Sequence, residues 1–344
     1  MSKLHFIASI LTLTLCSAVF SQPRSISSIV GESDISQEDE VKIQKFAVAW
    51  AQELETEDGE ALERAHKKLA SPFDTDARMT PNGRNLYGKY LKEGFSPLLS
   101  VDNQNEMAAV NALQIYSLLG TEQGCSVLIK HAHASSEDRD ALRLWASIGI
   151  GTTFLVGELK QNRVDRYAKL LGSYIPNESV WYIIARQFDS LASLQEIPGL
   201  EQDKRREMED LSFSLQTDAL VALLASIPSS GADERVQALS LVLPSLRLQL
   251  NEPGIDAQLK DAMYSAIIPP LTTFVENAAT FPPSDDADSL ASYGRAVQAA
   301  SLLVSKGTGV GDTDADVGVV VATLWSNGDY GEILTLVRLW RSSQ

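Results

Sequence analysis

Cysteine, histidine and basic charge are all scarce in this sequence, and each shortage removes a class of function. Two cysteines and four histidines among 344 residues are a thin supply for a disulfide-stapled fold, for zinc, or for a triad with a histidine base. Lys and Arg number 29 against 45 Asp and Glu, a formal net charge of −16, so a phosphate backbone or an anionic membrane surface would meet like charge. Beyond the N-terminus no apolar run approaches the ~20 residues needed to span a bilayer. G-x-S-x-G, H-E-x-x-H, P-loop and kinase motifs are absent, as is sustained period-two alternation. What remains is an apolar fraction of 44%, ample for a large core in one extended domain or two compact ones.

The first 21 residues read as a secretory signal. Lys3 supplies the positive start, and Phe6 to Leu15 is an apolar stretch broken by Ser9, Thr12 and Thr14, too short to cross a membrane. Val19 and Ser21 are small enough for the positions three and one before a cleavage site, which would make Gln22 the first mature residue. Cys16 leaves with that segment. The mature chain then holds Cys125 alone, so no intrachain disulfide is possible. Cys125 opens an apolar helix, where a small buried hydrophobe is the expected role. Residues 22–35 form a polar, Ser-rich linker, and 36–344 a helical repeat domain with a possible subdivision near 200.

From Val41 to Trp340 apolar residues recur at three- and four-residue spacing, the period of helices. Ser36 with Asp39 forms a capping-box start, and Val41, Phe46, Trp50 and Leu54 make the first stripe. Ser71-Pro72 ends a second helix. Pro269-Pro270 predicts a division between two helices, Gly307 the end of another, and Val317 to Leu324 a helix despite its β-branched run.

Two segments, Asn105 to His133 and Asp138 to Leu171, share a layout of charged turn, apolar helix, glycine and second apolar helix. Their closing glycines, 120 and 151, stand 31 positions apart (151 − 120), inside the range of solenoid repeats. In the second segment Leu142-Arg143, Ala146 and Gly149-Ile150-Gly151 follow one another; the first has Asn111-Ala112 in place of the leading pair and closes on Leu118-Leu119-Gly120. This pattern resembles the signature of HEAT-repeat proteins over residues 105–171. The resemblance implies an all-α, HEAT-like α-solenoid of antiparallel helix pairs whose concave face docks partners. It implies small residues, Ala146 and Gly149, at a close helix contact. It assigns no catalytic residue.

His131 and His133 lie two apart on a helix, point in different directions and cannot share a metal; surface or capping roles are expected. Gly307, Gly309 and Gly311 follow a helix and precede Asp312, the wrong setting for a phosphate cradle. Asp312, Asp314 and Asp316 alternate as in the first half of an EF-hand calcium loop. Val317 stands at the sixth position and Thr323 at the twelfth, where calcium requires glycine and a bidentate glutamate. Capping of the next helix is the simpler role, and no cofactor is expected, with calcium binding there weak or absent. Asp285, Asp286 and Asp288 are read as caps in the same way.

The sequence thus predicts an exported, acidic interaction scaffold of the periplasm or extracellular space, with a protein partner, no nucleic acid and no membrane insertion after signal removal. The alternative is an all-helical secreted enzyme using carboxylates on a neutral or cationic substrate. N-terminal sequencing of the secreted product is expected to begin at Gln22; a product that keeps Met1 would refute the signal assignment.

Overall fold

The computed structural model describes residues 25–74, 79–283, 286–310 and 314–344, with the backbone alone at 314–316. The signal segment lies outside the described residues. Regular structure among the described residues is helical throughout, as the apolar spacing predicts. The helices are α1 (Ser27–Val30), α2 (Gln37–Glu53), α3 (Gly59–Ala70), α4 (Pro81–Phe95), α5 (Glu106–Leu119), α6 (Glu122–His131), α7 (Asp140–Val156) and α8 (Gln161–Tyr174). They continue with α9 (Trp181–Ala192), α10 (Gln202–Ser226), α11 (Val236–Leu250), α12 (Ala257–Thr280), α13 (Ala287–Thr308), α14 (Asp314–Asn327) and α15 (Tyr330–Ser342).

Local chemistry sets most of the boundaries. Ser36 Oγ accepts the Asp39 amide at the start of α2, Asp58 that of Glu60 at α3, Thr80 that of Gly83 at α4 and Asn105 that of Ala108 at α5. Each satisfies an amide that the first helical turn leaves without a partner. Asp286 does the same for Asp288 and Ser289 at α13. Arg84 of α4 reaches the other end of a helix, donating from Nη1 to the carbonyls of Leu118 and Leu119 that close α5.

Packing partners alternate along the chain. Helices α3, α5, α7, α9, α11 and α13 touch one another in succession, with α14 after α13; α2, α4, α6, α8, α10, α12 and α15 form a second succession. Contacts such as α5 with α6 and α6 with α7 join the two. One apolar core runs through both. Its closest approaches occur at small residues. A Cβ on Gly149 would lie 2.9 Å from Leu128 Cδ2 of α6 and 3.2 Å from Ser117 Cβ of α5, and one on Gly151 would lie 3.1 Å from Ser190 Cα of α9. Ala146, fully buried on the same helix, belongs to this contact region.

Four expectations change. Gly151 does not close its helix but sits within α7, which ends at Gly157 in the left-handed region (φ 74°); the interval between closing glycines 120 and 157 is therefore 37 positions (157 − 120). Pro269 and Pro270 lie inside the continuous helix α12. They deprive the carbonyls of Ser265 and Ala266 of amide partners, but both residues are exposed to water, while Ile267, Ile268 and Leu271 anchor the two halves in the core. Gly307 likewise stays within α13, which closes at Gly309; it allows the approach of Ile268, whose Cδ1 would stand 2.2 Å from an added Cβ. The stretch read as a linker carries α1, and its Ile26 and Val30 are fully buried, with Thr80 N donating to the Val30 carbonyl.

Replacing Ala146 with Leu should overpack the contact and cost about 1–3 kcal/mol. The urea midpoint of the variant, with its helical content checked by circular dichroism, measures this.

Candidate functional site

Helix α7 is apolar on more than its buried side. Leu142, Ala146, Ile150 and Phe154 face the core, yet Leu144, Trp145 and Ile148 are half-buried and Leu155 is 40% exposed. No charged residue falls between Arg143 and Glu158. With neighbours α5 and α9 seated on its flanks, α7 turns the side bearing Leu144, Trp145, Ile148 and Leu155 away from the core. On α5 the neighbouring outward positions are Met107, 62% exposed, and the half-buried Val110 and Gln114. An uncharged apolar strip of this kind is what interaction surfaces carry and what isolated surface leucines do not make.

Leu155 also belongs to an open groove of about 750 Å³, formed by the ends of α7, α9 and α11, the 3-10 turn Ser193–Glu196, the first half of α10 and the turn after α11. Glu196, Glu209 and Glu252 bring three carboxylates to its lining against the guanidinium of Arg205, and a fourth, Asp189, is paired with Arg186 at 2.7 Å. Gln195 and Gln249 lie in the floor and are fixed there. Gln249 Oε1 accepts from Gln195 Nε2 at 2.8 Å and from Gln216 Nε2 at 3.1 Å. Both donors also reach Ser212 Oγ, at 3.0 Å each, and that hydroxyl donates to the Leu191 carbonyl at 2.8 Å. Ser212 and Gln216 are buried. The floor is thus organised before anything binds. A second hollow, of about 640 Å³, shares Glu209, Phe213, Gly254 and Ile255 with the first and adds Asp210, Asp256 and the cation Arg206.

The densest set of ionisable groups lies elsewhere, where the α6–α7 turn meets its neighbours. His131 Nδ1 donates to Glu137 Oε2 at 2.8 Å; Arg139 Nε and Nη2 hold the same carboxylate at 2.7 and 2.8 Å. Arg139 Nη1 continues to the carbonyls of Ser100 and Asn103. Arg143 grips Glu178 with Nε and Nη2 at 2.9 and 3.2 Å and the Glu137 carbonyl with Nη1 at 3.0 Å. Glu178 in turn accepts the amides of Ser179 and Val180 at the start of α9. Three alternate connections, those before α5, α7 and α9, are therefore tied together. Burial alone would raise the Glu137 carboxyl, but the hydrogen bonds from Arg139 and His131 outweigh it and bring the pKa down to about 2. Burial lowers that of His131 against the pull of Glu137, leaving the imidazole neutral. Because both oxygens of Glu137 are taken by protein donors, the cluster is built to brace the turn, with no lone pair presented to a substrate.

His131 is therefore not a surface or capping residue; it is 5% exposed and serves as a donor inside this brace. Its neighbour two residues on, His133, lies against Tyr174 with ring centroids 4.2 Å apart and planes tilted by 41°. Cys125 is buried as expected, and burial pushes its thiol well above the ordinary range, with Glu122 adding to the effect. Asp312 and the side chains of Asp314 and Asp316 lie outside the described residues. Among the described residues no group of three or more His, Cys, Asp or Glu side chains could hold a metal ion. The apolar face of α7 and the glutamine-floored groove were missed in the sequence; the available signal was a long helix apolar all round, which reads as fully buried.

No protein-family model and no curated protein sequence matches the chain. A crystal structure of an engineered protein from the Northeast Structural Genomics Consortium aligns over 92% of each chain at 11% identity with a TM-score of 0.25, too low to bear on the fold.

Stability should fall in two stages on acidification. A folded-state histidine pKa held below its ordinary 6.5, as at His131 and His66, gives stability that is complete above pH 6.5 and declines below it. Glu137, held down to about 2 from 4.5, adds a second loss as pH falls from 4.5 towards 2. Urea titrations across this range should show both limbs, with Glu137→Gln flattening the lower one and leaving the contribution of His66 to the upper one.

Proposed function

We propose that this chain is a non-catalytic protein-interaction scaffold of the periplasm or extracellular space, built as an α-solenoid, with the outward side of α7 as its docking face. The observation that carries this reading is the uncharged strip of half-buried Leu144, Trp145 and Ile148 with exposed Leu155 on a helix otherwise committed to the core. A large aromatic with a polar tip, surrounded by aliphatic side chains, is the composition of an interface centre. The solenoid reading draws support from the alternation of packing partners, in which each helix meets the next but one. Export draws support from the composition of residues 1–21.

The acidic groove favours a second reading, a secreted enzyme that uses carboxylates on a neutral or cationic substrate. The two readings differ in what the mature protein retains. Used as bait in an extracytoplasmic extract of the source cells, the mature chain should capture a specific protein, and a Trp145→Ser, Ile148→Ser variant of unchanged helical content should lose it, in keeping with the ~2 kcal/mol or more that a central interface aromatic contributes. Capture of nothing, together with turnover of a cationic substrate abolished by Glu209→Gln, would replace the scaffold reading with the enzymatic one.

A further inference from the structure

The strip on α7 and the groove beside it are continuous, because Leu155 belongs to both. From Leu144 to Leu155 the strip is about 16 Å long, three turns of helix. It offers apolar contact and no charge. At the Leu155 end the surface changes abruptly, and Glu196, Glu209 and Glu252 face the groove around a floor of fixed glutamine amides. A surface apolar along one stretch and acidic at one end complements a segment with an apolar face and basic residues at the matching end.

We propose that this continuous surface takes a cationic amphipathic helix of a partner protein, with its apolar side chains over Leu144, Trp145 and Ile148 and its Lys or Arg side chains in the groove. The inference rests on the scaffold reading and specifies the partner's chemistry. Two features of the site favour this occupant over an acidic or neutral one. With Asp189 held by Arg186 at 2.7 Å, the three glutamates Glu196, Glu209 and Glu252 still outnumber the guanidinium of Arg205, which makes the groove attractive to cations. The hydrogen-bonded floor presents fixed dipoles, so an incoming ammonium or guanidinium meets groups already in place. Helix-in-groove recognition of this type draws its contact from the apolar face and its sign selectivity from the rim.

Fluorescence anisotropy of a labelled helix-forming peptide of leucine and lysine, measured against the mature full-length protein, tests the proposal. Its controls are a leucine–glutamate peptide of the same apolar spacing and a lysine–serine peptide without an apolar face. The leucine–lysine peptide should bind at least about tenfold more tightly than either. Glu209→Gln with Glu252→Gln should weaken it about fivefold or more and flatten its salt dependence, whereas Glu332→Gln with Asp329→Asn, which removes two charges at the start of α15, should leave it unchanged. Ile148→Ser with Trp145→Ser should remove binding while circular dichroism stays constant. Equal binding of the leucine–glutamate peptide, or equal weakening by the α15 pair, would overturn the proposal in favour of general stickiness or general charge. A concentration-dependent dimer in sedimentation that disappears in the Ile148 and Trp145 variant would overturn it in favour of a second copy as the occupant. If the bait experiment captures a partner through α7 while no cationic helix binds, the scaffold stands and this inference falls; if no partner is captured, the scaffold reading itself is at fault.

Discussion

The backbone of α7 comes close enough to α5, α6 and α9 that a methyl group at Gly149 or Gly151 would press on their atoms. That approach requires small residues along two sides of one helix, and the helix supplies them at Ala146, Ser147, Gly149 and Gly151. Polar contacts follow from the proximity: Ser190 Oγ donates to the Ser147 carbonyl at 2.7 Å, and Thr153 Oγ1, whose shorter partner is the Gly149 carbonyl of its own helix, comes within 3.3 Å of the Ser117 carbonyl. Since the flanks are given over to small side chains, the larger apolar residues that do not face the core, Leu144, Trp145, Ile148 and Leu155, are left on the remaining side. The outward apolar side of α7 is thus a geometric consequence of how tightly the central helix is held.

Close packing alone does not fix the angle at which successive helices leave their turns. That task falls to the brace of His131, Glu137, Arg139, Arg143 and Glu178, which joins the connections before α5, α7 and α9 through charged hydrogen bonds. Buried ion pairs repay their desolvation only when nearly every donor and acceptor is matched. Here Glu137 accepts from three side-chain nitrogens and one amide, and Arg143 donates to two carboxylates and a carbonyl. The brace ties the start of α7 to the start of α9, and the groove is formed where their C-terminal ends meet α11.

The helices were legible in the sequence because their signals are local. Ser36, Asp58 and Asp286 each cap the helix that follows, and the apolar spacing survives even the β-branched run of α14. Errors arose where a residue's local preference met tertiary packing. Pro269 and Pro270 break an isolated helix, but not one whose Ile267, Ile268 and Leu271 are pinned in a core. Gly151 and Gly307 resemble terminators in sequence and serve as points of close approach in space. His131 looked like one of two neighbouring surface histidines, because its partner Glu137 lies across a turn that only the fold closes. The site was the least legible part. A helix apolar on all sides reads as buried, and which side is left open depends on what the rest of the chain covers.

The same chain that exposes an apolar strip carries a net charge of −16, and the two properties constrain each other. An uncharged strip of leucine, isoleucine and tryptophan would ordinarily promote association between copies. Copies that repel one another across an acidic surface pay a growing electrostatic cost on approach, so the strip can stay open at concentrations where a neutral protein would aggregate. The repulsion does not act on a partner of opposite sign, which gains attraction from the surface that keeps identical chains apart. On the proposed reading, acidity would act as a filter on what covers α7, and the groove at Leu155 is where that filter would lie closest to the apolar contact.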